Sequence, residues 1–306
     1  MTASSHIENY DQSTYWIAHA HNFRSSARLH LQHFLYQNTL GYLLEPGITK
    51  AVTAAAQQQQ QPLKIADLAC GNGVWLTELH TQLTTNHDLS VQLDGFDINP
   101  VNFPAAAYLP AGVSLQQLDT LAKPLPAHLL GAYDVVHIRA FASLIGPDSD
   151  LTPILTVASS LLKPGGYLQW EENRGDLFLV EAPTPDVPKA ACSQASQVLQ
   201  GGLRAKGISN AWVDALDAQL TQFGFQEARL RPHDKRRQDY KAWTENYLIV
   251  WEELAALFPP KAEAPNAPLS REAWVALFTA AVKETEQGVV VHQGRVVTAV
   301  GRKPLA

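Results

Sequence analysis

Cysteine is nearly absent. Cys70 and Cys192 are the two in 306 residues, too few for a disulfide framework, and neither sits in the C-x-x-C spacing of a metal site. A basic surplus is also missing. The chain has 23 Lys and Arg against 29 Asp and Glu, for a formal charge of −6, and its longest basic cluster is Lys235, Arg236, Arg237. Nothing is arranged to neutralise phosphates, so nucleic acid is not an expected partner. Long apolar runs are lacking too: no segment approaches the roughly 20 residues that a membrane helix needs. The first twenty residues carry His6, Glu8, Asp11 and His19 where a leader would have its apolar stretch. These absences predict a soluble, cytoplasmic chain with reduced thiols and no membrane partner. What is present is 46% hydrophobic residues, enough at this length to bury the core of one large α/β domain or of a domain with a cap.

Along residues 10 to 44, Tyr15, Phe23, Leu29, Leu31, Phe34, Leu35, Leu40 and Leu43 recur at roughly helical spacing. Pro46 and Gly47 punctuate this region, a short helix is expected over 48 to 56, and five glutamines at 57 to 61 form a solvated linker or helix extension. We therefore expect an N-terminal helical lid and linker over residues 1 to 61. From residue 63 the pattern changes to short apolar runs separated by helical stretches, as in a parallel sheet of βαβ units. Strands are expected at 64–68, 92–96, 114–117, 133–138 and 166–170, with helices near 74–85, 101–107, 150–162, 187–206 and 210–223. The last third breaks this rhythm. A strand at 227–231, helices at 243–258 and 271–286, and a final strand at 295–301 suggest a closing antiparallel pair. The reading is α/β: a doubly wound, mostly parallel, seven-stranded sheet over residues 62 to 306, with a helical insertion at about 235 to 288.

The segment IADLACGNG (65 to 73) puts an apolar strand before a tight turn, and Val74, Trp75, Leu76 and Leu79 then follow helical periodicity. Gly71 and Gly73 let backbone approach a ligand closely, and Ala69 stands where a third glycine is expected. Asp67 would repel a dinucleotide pyrophosphate but suits the ammonium and sulfonium of S-adenosylmethionine. Asp97, ending a second strand, can accept both ribose hydroxyls of an adenosine; Asp94 lies too early in that strand. Asp119, after a third strand, can accept from the adenine amine.

With these residues in view, the chain resembles the fungal class I S-adenosylmethionine-dependent methyltransferases that tailor secondary metabolites. The resemblance runs through RLHLQHFLYQNTLGYLLEP (28 to 46), IADLACGNGVW (65 to 75), GFDINP (95 to 100), YDVVHIRAF (133 to 141), LLKPGGYLQWEE (161 to 172) and VGRKP (300 to 304). It implies a Rossmann-like fold and S-adenosylmethionine as cofactor. It further implies that Asp67, Ala69, Gly71 and Gly73 form the methionine loop, that Asp97 and Ile98 hold the ribose, and that Leu118, Asp119 and Thr120 flank adenine. The family pattern has glycine where this chain has Ala69.

In a doubly wound sheet the ligand sits at the carboxyl ends of the strands around the switch point. Arg139 ends the fourth strand there, able to pair with a cofactor or substrate carboxylate or to cap a helix. His137 lies deeper, readable as a catalytic group or as a satisfied core histidine. The wider pool of bases for an acceptor that must lose a proton is His19, His21, His137, Glu171, Glu172 and His233; His21, His137 and Glu171 are the catalytic candidates. Trp243, Tyr247 and Trp251 stand at i, i+4 and i+8, one helix face that serves as core or as the roof of a substrate site. The expected function is methyl transfer to an O, N or C nucleophile of a small molecule by a monomer or homodimer. Two alternatives keep the fold: a pericyclase or cyclase that uses the sulfonium electrostatically, and a non-enzymatic methyltransferase-like regulator. No metal is expected.

Overall fold

The computed structural model describes residues 22 to 122 and 124 to 305. Its helices are α1 (Phe23–Leu40), α2 (Pro46–Gln59), α3 (Val74–His87), α4 (Thr152–Leu161), α5 (Ala190–Ala205), α6 (Leu216–Phe223), α7 (Tyr240–Glu253) and α8 (Arg271–Glu286). Its strands are β1 (Leu63–Leu68), β2 (Val91–Asp97), β3 (Val113–Gln117), β4 (Tyr133–Arg139), β5 (Leu162–Asn173), β6 (Leu179–Glu181), β7 (Gln226–Asp234), β8 (Val290–His292) and β9 (Arg295–Arg302).

Seven strands form one sheet in the order β3-β2-β1-β4-β5-β9-β7. β1 pairs in parallel with β2 and β4, while β9 runs antiparallel between β5 and β7. The chain leaves β1 toward β2 on one side and returns at β4 on the other. The switch point therefore opens between the carboxyl ends of β1 and β4, where such sheets take their ligands. This is the doubly wound, mostly parallel sheet expected, with the antiparallel partner at the end. β6 and β8 make a small second sheet. Their three-residue runs were not anticipated, because segments so short carry no usable periodicity.

Alternation along the strands divides the core into two layers. Leu63 and Ile65 of β1 join Ile48 and Val52 of α2 and Leu76, Leu79 and Leu83 of α3. Ala66 and Leu68 face the other way, onto Ile154, Leu155 and Leu161 of α4 and Leu216 and Leu220 of α6. A third cluster joins Leu35, Tyr36 and Leu40 of α1 to Trp243, Tyr247 and Trp251 of α7 and Trp274 of α8. The aromatic stripe on α7 is thus the inner face of a helical cap, and α1 lies against it. α2 packs in the layer that holds α3, and α1 packs in the third cluster with α7 and α8. Among the described residues no helix is long and apolar enough to cross a membrane.

Local chemistry explains the departures at element ends. Residues 101–107, expected as a helix, form two short 3₁₀ turns, Pro100–Asn102 and Ala106–Tyr108. Pro104 between them lacks the N–H that a continuous helix requires. The glutamine run continues α2 to Gln59, and Gln60 closes it in the left-handed region at φ 52°. Likewise 210–223 divides into a 3₁₀ turn at Ala211–Ala215 and α6. α1 starts at a capping box in which Asn22 Oδ1 accepts from the Ser25 amide and Ser25 Oγ is reached from the Asn22 amide, satisfying otherwise unpaired first-turn donors.

Two non-glycine residues with positive φ flank the switch point. Ala69 follows β1 at φ 55° and Ala140 follows β4 at φ 53°. A Cβ in this region costs roughly 1–2 kcal/mol, so both turns are held against an intrinsic preference. Ala69→Gly is expected to raise stability by about 0.5–1 kcal/mol, the relieved strain less the added freedom of glycine in the unfolded chain. Denaturant unfolding at constant m-value measures it, and an unchanged or lowered midpoint would contradict the strain reading.

Candidate functional site

A row of polar side chains crosses the centre of the sheet. Asp67 of β1 is in register with His137 of β4, and His137 with Gln169 of β5; one step further, Arg139 is in register with Glu171. Because side chains alternate, these five point to the α2/α3 face. Asp67, His137, Gln169 and Glu171 are buried and Arg139 is nearly so. Polar groups in the middle of a parallel sheet demand mutual pairing, and they have it. His137 Nδ1 lies 2.7 Å from Asp67 Oδ1, and Nε2 lies 3.5 Å from Glu171 Oε2. Arg139 Nε donates to the same Glu171 oxygen at 2.5 Å, and Gln169 Nε2 donates to Glu171 Oε1 at 2.7 Å. Arg139 Nη2 is also 2.5 Å from Glu171 Oε2, so the guanidinium meets that oxygen through two nitrogens.

The electrostatics follow from that pairing. Burial pulls the His137 imidazolium toward neutrality, but the charge and hydrogen bond of Asp67 and then those of Glu171 outweigh it, so its pKa is raised above 6.5. Burial would push the Glu171 carboxyl up, but Arg139 and then His137 bring it below 4.5. The row alternates two acidic with two basic side chains. Trp75 stacks on the His137 ring, with centroids 3.6 Å apart and planes 6° from parallel, a face-on contact that favours a cationic ring. Trp75 Nε1 in turn donates to the Leu43 carbonyl at 3.2 Å, and Gln169 Nε2 to the same carbonyl at 2.9 Å. The loop between α1 and α2 is thereby pinned to the row.

The glycine loop stands beside it. Gly71 and Gly73 both adopt left-handed φ, 59° and 73°. A Cβ on Gly73 would come within 2.7 Å of Leu115, and one on Gly71 within 3.0 Å of Leu29 on α1. The loop is tied to the end of β2: the Gly71 amide donates to Asp97 Oδ2 at 2.8 Å, and Asp97 Oδ1 accepts from the Asn99 amide at 2.9 Å. The next strand end is joined on, the Leu118 amide donating to the Asp97 carbonyl at 2.9 Å. Asp119 is exposed there and accepts from the Leu121 amide at 2.9 Å, while Thr120 is buried. Ile98 accepts from Gln117 Nε2 through its carbonyl at 3.0 Å. Helix α1 covers the loop: Asn72 Nδ2 donates to the Ser26 carbonyl at 3.2 Å and lies 2.8 Å from His30 Nδ1.

The structure thus gathers Asp67, Ala69, Gly71, Gly73, Asp97, Ile98, Leu118, Asp119, Thr120 and Arg139 along the carboxyl ends of β1, β2, β3 and β4. Asp94 is held apart, buried and accepting from Ser114 Oγ at 2.7 Å and Tyr133 OH at 3.0 Å. His19 and His21 lie outside the described residues, as do Tyr15 and Trp16. Glu171, a catalytic candidate from the sequence, is completely buried. Glu172, on the opposite face, accepts from the Phe141 and Ala142 amides at 2.7 and 2.9 Å. Burial lifts its pKa to about 7, with those amides working against the rise. His233 lies 3.0 Å from Tyr42 OH, and burial lowers its pKa. Several residues escaped the sequence reading: His33 and Tyr36 on α1, Trp75, Gln169 and Lys235. The even spacing of His137 with Arg139, and of Gln169 with Glu171, in otherwise apolar strands was the available signal.

Comparison with known proteins gives relatives over part of the chain. Methyltransferase grgD of a Penicillium species is 31% identical over 163 residues, covering 51% of this chain and 54% of its own. N-methyltransferase tcpN of Claviceps purpurea is 28% identical over 154 residues, 50% of each chain. N-methyltransferase verN of Clonostachys rogersoniana is 30% identical over 171 residues, 55% of this chain and 53% of its own. The chain is a homologue of these fungal methyltransferases, spanning about half the length of each. No family model matches. Among solved structures, the [4+2]-cyclase SpnF superposes with a TM-score of 0.42 at 18% identity over 84% of this chain and 81% of its own. A putative methyltransferase bound to the Haloferax volcanii Trm112 activator gives 0.44 at 16% over 92% and 98%.

Removing the central cation tests the row. His137→Gln leaves Asp67 and Glu171 buried without the charge between them, and breaking a buried pair in this way costs about 3–5 kcal/mol. Because the folded His137 pKa is raised, its stabilising contribution is full below 6.5 and lost as pH rises through the higher folded value. The difference in unfolding free energy between wild type and His137→Gln is therefore expected to shrink on the alkaline side of 6.5. A difference independent of pH would mean that the folded ring is neutral.

Proposed function

We propose that this protein is an S-adenosylmethionine-dependent methyltransferase that acts on a small-molecule nucleophile of secondary metabolism. The observation that carries the reading is the bond between the Gly71 amide and Asp97. It joins a two-glycine left-handed turn after β1 to an acid at the end of β2, with Asp119 at the end of β3 alongside. The donor chemistry fits the cofactor. Gly71 and Gly73 leave the backbone bare of Cβ atoms, Asp97 supplies acceptors for a ribose diol, and exposed Asp119 supplies one for an exocyclic amine. Three acids, and no lysine among the described residues at these strand ends, suit a ligand that brings cationic groups and no phosphate. The fungal relatives named as methyltransferases support the same reading.

Within it, Asp67, Ala69, Gly71 and Gly73 hold the methionine part, Asp97 and Ile98 the ribose, and Leu118, Asp119 and Thr120 the adenine. When bound, the cofactor supplies an electrophilic methyl group whose leaving group departs as a neutral thioether. The chain's own work is then to place the nucleophile in line and exclude water. The described residues divide that work. His137 and Glu171 are held by charged partners on both sides, which suits them to fix Asp67 and Arg139 and not to shuttle a proton. α1 covers the glycine loop through Leu29 and Asn72, and acts as the lid over it. The relatives tcpN and verN are named N-methyltransferases, which favours nitrogen as the acceptor atom.

Calorimetric titration with S-adenosylmethionine tests the reading. Wild type is expected to bind. Asp97→Ala is expected to bind about ten- to a hundredfold more weakly, since hydrogen bonds to a charged group contribute roughly 1.5–3 kcal/mol. Asp94→Ala, which removes an acid engaged in the sheet, is the control and should bind as wild type does if folded. Equal affinity of Asp97→Ala and wild type would remove Asp97 from the site.

A further inference from the structure

Between α1, the end of β4 and α7 lies a chain of touching polar side chains whose hydrogen-bonding capacity the fold leaves unused. His33, Tyr36 and Trp243 are buried, at 3%, 0% and 0% exposure. Among the described residues, His33 Nε2, Tyr36 OH and Trp243 Nε1 have no hydrogen-bond partner. They are contiguous. Arg139 Nη1 lies 3.2 Å from His33 Nδ1, the Arg139 guanidinium sits 5.0 Å from the Tyr36 ring centroid, and the Tyr36 and Trp243 rings are 5.6 Å apart. Each buried polar atom left unpaired costs about 1–3 kcal/mol. A run of them on two helices, beside a row where every charge is matched, is characteristic of a binding surface.

The far end of this chain is Lys235, just past β7 and 4% exposed. Its ammonium lies 3.9 Å from the Trp243 ring centroid and 5.5 Å from that of Tyr247, and Nζ donates to Tyr247 OH at 2.9 Å. Among the described residues no carboxylate pairs with it, and burial alone pushes its pKa well down. Two ring faces and one phenol are a weak substitute for water around a cation. Arg139 at the other end already spends its charge on Glu171. The surface therefore combines flat aromatic walls, donors at Trp243 and Tyr36 without a partner among the described residues, and one buried amine without a counter-charge there.

We propose that these groups form the methyl-acceptor site, and that Lys235 there pairs with the anion of an acidic group on a planar acceptor, such as a phenolate, thiolate or carboxylate. The proposal rests on the methyltransferase reading above. An anion beside Lys235 would restore the charged form that burial disfavours, whereas a cationic amine would disfavour it further. Lys235 recognises the acceptor, and the walls of Tyr36, Trp243 and Tyr247 stack against its ring.

The test uses protein loaded with S-adenosylhomocysteine and a panel of matched probes: 4-nitrophenol with 4-nitroanisole, thiophenol with thioanisole, and 2-naphthoate with its methyl ester. Binding is read by tryptophan fluorescence at a pH where the acids are ionised. At least one anion is expected to bind ten times more tightly than its neutral partner. Lys235→Met should lose that tenfold, Lys235→Arg should keep most of it, and the affinity for S-adenosylhomocysteine should be unchanged in both. Anions and neutral partners binding alike, Lys235→Met binding the anion as wild type does, or no anion binding at all would each overturn the assignment. Failure of wild type to bind S-adenosylhomocysteine would instead overturn the function proposed above, and this site with it. If Lys235→Met fails to fold, Trp243→Phe serves as the second variant. It removes one unused donor and part of the cation-facing ring, and it too should weaken the anion more than the neutral partner; equal weakening of both overturns the assignment.

Discussion

The paired row Asp67–His137–Glu171–Arg139 is the constraint on which the rest of the site depends. A parallel sheet packed on both faces offers no water to its interior, so a charge placed there is costly until it meets its opposite. Here the register of three strands supplies the opposites: β1 brings Asp67 level with His137, and β5 brings Glu171 level with Arg139. Because the pairing is between strands, it also fixes how far each strand end projects into the switch-point cleft. The turn after β1 and the turn after β4 both emerge from this row, and both begin with an alanine in the left-handed region. Strain of this kind persists only where surrounding structure over-determines the backbone. The charged row below and the Gly71–Asp97 bond beside it provide that surrounding structure.

Burial by itself does not assign a chemical role, as two adjacent carboxyls on β5 demonstrate. Glu171 and Glu172 are equally buried, yet alternation sends them to opposite faces of the sheet. Glu171 meets Arg139 and His137, which bring its pKa below the usual carboxyl value. Glu172 meets backbone amides at the Phe141 turn and no cation, and its pKa is pushed up to about 7. Taken alone, that value would nominate Glu172 as a base. Its geometry argues otherwise: its oxygens are taken by the amides of Phe141, Ala142 and Asn173, so it staples the turn after β4 to the end of β5.

The sheet was legible in the sequence because its signals are local. A strand, a glycine turn and a helix announce themselves within a dozen residues, and acids at three strand ends are visible as soon as the strands are. The register between strands is a non-local property, so nothing in YDVVHIRAF or in LLKPGGYLQWEE says that His137 lies beside Asp67 or that Glu171 turns inward. Lys235 shows the same limit. In the sequence it reads as the first of three basic surface residues, but in the structure Arg236 and Arg237 are exposed while Lys235 passes beneath α7. The difference comes from the strand that carries it across the sheet.

The cap differs from the sheet in how its packing relates to function. Leu35 and Leu40 of α1 share one apolar cluster with Trp251 of α7 and with Leu254 just beyond it, whereas polar atoms without a partner among the described residues gather where the same two helices approach Arg139. A helix pair selected only for stability would place leucines at both ends of the contact, since a buried hydroxyl or indole N–H without a partner lowers stability relative to an apolar side chain of similar size. The presence of Tyr36, His33 and Trp243 at one end therefore separates the contact into an apolar half and a polar half, the latter being the proposed recognition surface. α1 belongs to both. It anchors through the first, and through the second it brings its polar groups over the same strand ends that carry the glycine loop, so that the proposed cofactor and acceptor sites would share one helix as their cover.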